Sequence, residues 1–197
     1  MNRDAFRKLF WGFLLIMIDI RIQGVDILPD VIGYYFFYSG MMMLSGQSEH
    51  FRKGANYSIP MMVLSVLTLY ERPVNSTGML APTFSFSPLM FVVSLASLAL
   101  GLLTAYHLFR GIQDLAAAHR LPGIEAEAGT RWTQYLLINL AIPVVMILVF
   151  VPFIFILAVL ALFIAVLIYT IKVLQFMNLC ADQLHESLPV EAEADSW

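Results

Sequence analysis

The residues with the most obvious chemical potential lie together near the start of the chain, in Asp19-Ile-Arg-Ile-Gln-Gly-Val-Asp-Ile-Leu-Pro-Asp30. Asp19, Asp26 and Asp30 supply carboxylates, Arg21 a guanidinium and Gln23 a carboxamide. The stretch sits between two apolar runs, Leu9 to Ile18 and Val31 to Leu44. A carboxylate at the centre of a bilayer costs about 2.5–3.5 kcal/mol on insertion scales, so it faces protein or water. Two arrangements satisfy that demand. In the first, Asp19, Arg21 and Asp26 line a path for a proton or a cation. On one unbroken helix, Asp19, Gln23, Asp26 and Asp30 would share a face, at steps of four, three and four. Gly24 and Pro29 oppose such a helix. In the second, the stretch is a turn at the outer interface. Asp26 then caps the following helix, and Arg21 pairs with a carboxylate across the hairpin. Asp19 and Arg21 are two apart and do not face each other on a helix.

Other chemistry is sparser. His107 lies in an apolar segment beside Tyr106 and Arg110, as a proton relay or as an interfacial residue. His50, His119 and His185 fall in expected loops or tails, no two histidines have zinc spacing, and Cys180 stands alone. A metal site is therefore not expected. Met41, Met42, Met43, Met61 and Met62 offer soft thioethers. Consecutive methionines on a helix point in different directions, however, and methionine commonly fills gaps. Asn139 with Pro143 could mark a kinked helix. No catalytic motif, phosphate-binding loop or cofactor signature is present. No basic stripe suggests nucleic acid.

The elements that must position these residues follow from composition. Of 197 residues, 60% are hydrophobic and 13% charged, about half the charged share of a soluble domain. The apolar residues come in long blocks, so the expected fold is an all-α integral membrane protein, a polytopic bundle of six transmembrane helices. The expected helices span 5–23, 29–44, 57–70, 88–109, 132–150 and 152–177. Tyr135 to Phe176 would make one helix about 60 Å long, twice the membrane core, and Pro152 divides it. The fourth helix is expected to continue as an amphipathic segment to His119, and Pro122-Gly123 to end it. Residues 47–56 and 125–131 are read as polar loops, and 73–87 as an exposed loop. Gly33 and Gly40 share a face of the second helix, and Ser94, Ser97, Gly101 and Thr104 form a stripe on the fourth. Both patterns suit close helix packing. Residues 1–185 form one membrane domain, and the acidic tail 186–197 is expected to be disordered. The basic N-terminus followed by an apolar run, with no small-residue cleavage site after it, reads as an uncleaved first helix.

Six crossings with both termini cytoplasmic put Arg3, Arg7, Lys8, Arg52, Lys53, Arg110, Arg120, Arg131 and Lys172 inside. Only Arg21 and Arg72 of the eleven basic residues lie outside. The same arrangement puts the Asp19–Asp30 stretch at the outer face.

Phe10-Trp11-Gly12, Ile18 to Ile22, Gly24 to Asp30 and Ile32-Gly33-Tyr34 resemble uncharacterised small multi-pass membrane proteins of Gram-positive, Bacillus-like bacteria. The likeness covers residues 9–50, and its specific part is Asp-Ile-Leu-Pro-Asp-x-Ile-Gly. It implies a multi-pass protein of a bacterial plasma membrane and brings no activity. Three functions are consistent with the residues. The first is a non-enzymatic accessory protein that binds another membrane protein or itself within the lipid bilayer. The second is a small proton- or cation-coupled transporter or channel. The third is a membrane-embedded enzyme acting on a lipid-like substrate.

Overall fold

A computed structural model describes residues 2–17, 21–22, 25–26, 30–68 and 88–186, with side chains over 2–17, 30–66 and 91–184. The chain is helical: α1 (Asn2–Met17), α2 (Asp30–Leu44), α3 (Glu49–Thr68), α4 (Pro88–Ala118), α5 (Pro122–Ile147) and α6 (Pro152–Glu186). A 3-10 turn, Leu148–Phe150, joins α5 to α6. Between α1 and α2, β1 (Arg21–Ile22) pairs antiparallel with β2 (Val25–Asp26), with Arg21 opposite Asp26.

Each helix packs on its neighbour in sequence, and α6 packs back on α1, so the six close into a ring. Hydrogen bonds define one end. Asn2 exchanges bonds with Gln47 in the α2–α3 turn and donates to the Leu184 carbonyl of α6. Ser48 donates to Asp114 near the end of α4, and Gln113 donates to the Glu125 carbonyl of α5. The start of α1, the α2–α3 and α4–α5 turns and the end of α6 therefore meet at one place, called here the near end. The β1–β2 pair and the α5–α6 turn lie at the opposite, far end.

Burial divides the molecule along the same axis. The core is built from Phe6, Leu9, Phe13, Phe37, Met41, Phe51, Phe109, Ile112, Phe176 and their neighbours, all in the near half. In the far half, α5 and α6 present large apolar side chains outward. Phe150 is 86% and Phe153 75% exposed. Three helical stretches are long and apolar enough to cross a membrane: Phe91–Ala118, Pro122–Phe150 and Pro152–Leu184. They make this a protein of membrane type, since no aqueous surface carries such continuous apolar faces.

Several expectations are corrected. Among the described residues there are six helices, yet three, not six, have the length and composition of a span. With 16 and 15 residues, α1 and α2 reach only about 24 and 22 Å, short of the ~30 Å core. The polar first half of α3, Glu49 to Tyr57, excludes it for a different reason. α1 is described to Met17, and Arg21–Ile22 and Val25–Asp26 are strands, so one unbroken helix does not run through this stretch; Asp19 and Gln23 themselves lie outside the described residues. Residues 49–56 and 125–131, expected as loops, are helical. Ser48 caps α3 by accepting the His50 amide hydrogen at 3.1 Å. Pro122 opens α5 instead of terminating α4, because a proline without an N–H is well placed in a first turn. Beyond Ala118, α4 is closed by Arg120, at φ 55°, with Leu121 N–H returning to the Ala116 carbonyl. Pro60 and Pro143 lie inside α3 and α5. The loop 73–87 and the tail from 187 lie outside the described residues.

Candidate functional site

The expected Asp-rich cluster is seen only in part. Asp19 and Gln23 lie outside the described residues, and Arg21 and Asp26 are described by backbone alone, as cross-strand partners. Asp30 is the first residue of α2, where a carboxylate meets the positive end of the helix. Gly33 and Gly40 both face α1. A Cβ on Gly33 would come within 2.5 Å of Ile16, and one on Gly40 within 2.9 Å of Leu9. Along the stripe on α4, Thr104 is buried, Gly101 and Ser97 are half-buried and Ser94 is exposed. The Asn139 carboxamide donates to the Tyr135 carbonyl at 2.9 Å, a local bond within α5.

A pair that the sequence reading did not assemble lies in the near half. His50, in the first turn of α3, meets His107 of α4, with 2.9 Å between their Nδ1 atoms. The rings are tilted by 34° at 5.1 Å. Tyr57 stacks on His107 at 5.4 Å and 14°, and Tyr106 sets its edge against both imidazoles. Trp132 of α5 closes the group against Tyr106 at 5.3 Å, and the Arg110 guanidinium lies over the outer face of Tyr106.

The contact depends on how closely α3 and α4 approach. Each histidine is followed four residues later by glycine: His50-Phe-Arg-Lys-Gly54 and His107-Leu-Phe-Arg-Gly111. The helices run antiparallel, so each glycine meets the region of the other helix's histidine. A Cβ on Gly54 would lie 3.3 Å from the His107 Cβ and 2.6 Å from the Met41 sulfur. One on Gly111 would strike the Phe51 ring, beside His50, at 2.8 Å. The absence of both side chains is what brings the rings into hydrogen-bonding distance. The spacing H-x-x-[K/R]-G, present once on each helix, was the available sequence signal. Taking residues 47–56 as a loop hides it, because the first of the two segments then has no helix to stand on.

One turn along α4 from His107, a cavity of about 20 Å³ opens inside the ring, room for one water. It is lined by apolar groups of α1 and α2 together with Tyr34, Gly101, Thr104 and Tyr135. Thr104 is 3% exposed, and its hydroxyl has no partner among the described residues. Buried polar atoms are normally satisfied, and a water in this space would satisfy this one. Tyr34 also lies one helical turn from Asp30, so polar groups continue from the cavity towards the far end.

The arrangement can hold and pass a proton. A single hydrogen between two Nδ1 atoms requires one imidazole to donate and the other to accept. Both outer Nε2 positions are then left to exchange protons with their surroundings. No group of three or more His, Cys, Asp or Glu side chains converges among the described residues. Cys180 is buried in the core. No family model, curated protein or solved structure matches this chain.

Proposed function

We propose that the protein is a multi-pass protein of a bacterial plasma membrane that relays protons through the near half of its helical ring. The observation behind this reading is the 2.9 Å Nδ1 contact between His50 and His107, one turn from a small cavity to which Thr104, Tyr34 and Tyr135 are the polar contributors. A proton taken up at the bare Nε2 of the donating ring makes that ring cationic. Its Nδ1 hydrogen then passes to the partner's Nδ1, and the partner releases its own Nε2 hydrogen. One proton has entered, one has left, and the hydrogen bond has reversed direction. Thr104, Tyr34 and Tyr135 supply hydroxyls for the next step inward, with a water in the cavity as the link. Asp30, one turn beyond Tyr34, offers a carboxylate at the far side of the same route.

Orientation follows from charge. Arg3, Arg7 and Lys8 at the start of α1, Arg52 and Lys53 at the start of α3, and Arg110 and Arg120 towards and beyond the end of α4 belong to segments that meet at the near end. A positive-inside protein would turn that end to the cytoplasm. The interaction reading has no comparable feature, because α5 and α6 expose large aliphatic residues that lipid accepts equally well.

The test is flux. Proteoliposomes holding a trapped pH dye, with the membrane potential clamped, should dissipate an imposed proton gradient. His107→Gln should slow that flux about a hundredfold, the scale on which a positioned proton-transfer group acts, while keeping the thermal unfolding profile of the wild type. Wild-type flux equal to that of empty vesicles, or full flux in the variant, would sink the proposal.

A further inference from the structure

The outer face of α5 and α6 carries a second feature, independent of the histidine pair. An open groove of about 330 Å³ runs between the two helices, lined by Gln134, Leu137 and Ile138 of α5 and by Ala165, Ile168, Tyr169 and Lys172 of α6. That volume is within the range of small-molecule sites. The helices are antiparallel, so the polar residues of both collect at one end of the groove. Gln134 and Lys172 stand at the near end, and Leu137, Ile138, Ala165 and Ile168 continue towards the far end. Leu137 and Ile168 are exposed, as lipid-facing residues are. Lys172 is the first charge after the apolar run that begins at Pro152.

The hydrogen-bonding balance at the polar end is one-sided. Tyr169 is only 4% exposed, yet its hydroxyl has no partner among the described residues. Beside it, Arg131 bonds to Glu127 and to Gln134, which lines the groove, and its Nε is buried without a partner. Lys172 has no ion pair among the described residues. These groups all offer hydrogens, and two of them are buried, where an unmet donor costs about 1–3 kcal/mol. What they lack is an acceptor, preferably a negative one.

We infer that this groove binds an anionic glycerophospholipid. One acyl chain lies along Leu137, Ile138, Ala165 and Ile168, and the phosphate accepts from the exposed Lys172 ammonium. Charge complementarity selects the occupant, since a neutral hydrocarbon would leave the Lys172 ammonium without a counter-charge at the polar end of the groove. The short side chain of Ala165 leaves room for the chain.

Native mass spectrometry on delipidated protein tests this, with dioleoyl phosphatidylglycerol and dioleoyl phosphatidylcholine added in parallel. The wild type should retain phosphatidylglycerol in preference to phosphatidylcholine. Lys172→Gln, at an exposed position, should lower phosphatidylglycerol retention about tenfold, the equivalent of one charge-assisted hydrogen bond. Ala165→Trp should fill the groove and remove both lipids. Equal retention of the two lipids by the wild type, or phosphatidylglycerol held undiminished by Lys172→Gln, overturns the inference. Loss in Lys172→Gln with full retention in Ala165→Trp also overturns it, because charge alone would then suffice without the groove.

Discussion

The near and far halves of α4, α5 and α6 belong to the same continuous helices and obey opposite rules. In the near half, three shorter helices complete a ring, large side chains are buried, and polar groups such as His50 and His107 or Ser48 and Asp114 meet across helices. Phe109 is 1% exposed there. In the far half most of the large described side chains of α5 and α6 are exposed, and Phe153 is 75% exposed. Chemistry collects where helices shelter it. The far half satisfies its backbone internally and leaves its side chains to the solvent of the bilayer. Two readings of one helix, as core element and as membrane span, thus hold at different depths along it.

The sharpest way to break this comparison is to truncate one phenylalanine in each half. Phe109→Ala should destabilise the protein by about 3–5 kcal/mol, the usual cost of removing a buried aromatic ring. Phe153→Ala should cost close to nothing, because the ring is 75% exposed among the described residues. Denaturation in mild detergent, followed by intrinsic fluorescence, reads both. Equal losses would mean that the far face of α6 is packed against something as firmly as the core.

A smaller but more local probe is a charge moved along α6. Leu160→Lys places an ammonium in the middle of the exposed apolar run and should cost about 2.5–3.5 kcal/mol of membrane insertion. Asn178→Lys places the same charge on an exposed position of the near half and should change insertion very little. Glycosylation mapping of the isolated α5–α6 hairpin in microsomes measures the inserted fraction. A comparable penalty at both sites would put the near half inside the hydrocarbon and erase the distinction drawn above.

The two halves were also unequally legible in the sequence. Block hydropathy located the apolar parts of α4, α5 and α6, and Pro88 and Pro152 stand at the starts of α4 and α6, because spans are uniformly apolar and need no partner to be recognised. The near half was misread wherever helices turn amphipathic. Residues 49–56, 122–131 and 178–186 are polar enough to pass for loops, and their helicity depends on burying one face against neighbours that a linear reading cannot supply. That error concealed the candidate site. With His50 assigned to a loop, the matching His-x-x-[Lys/Arg]-Gly segments on α3 and α4 could not be set side by side. The Asp19–Asp30 stretch drew attention for a sound reason, the cost of charge in lipid. Its backbone, which sets Arg21 opposite Asp26, suits the turn reading better than a continuous helical face.

The weakest effect should come from the exposed charges that start α3. Glu49 receives a hydrogen bond from Lys53, the main reason its carboxyl titrates below the usual 4.5, and Arg52 and His50 add in the same direction. The ion pairs are 3.3 Å to Lys53 and 3.7 Å to Arg52, all on the surface. A carboxylate whose folded pKa is lowered contributes stability above its unfolded pKa and loses it as pH falls through the folded value. Exposed pairs of this kind are strongly screened. Glu49→Gln should therefore produce a barely measurable drop in melting temperature at pH 7. The gap to the wild type should narrow as pH falls below about 4.5 and close only below the lowered folded value, where both proteins carry a neutral side chain. A large loss at neutral pH would show that the start of α3, and with it the placement of His50, depends on Glu49 rather than on the Ser48 cap. A gap that persisted after acidification would assign the loss to packing instead of charge.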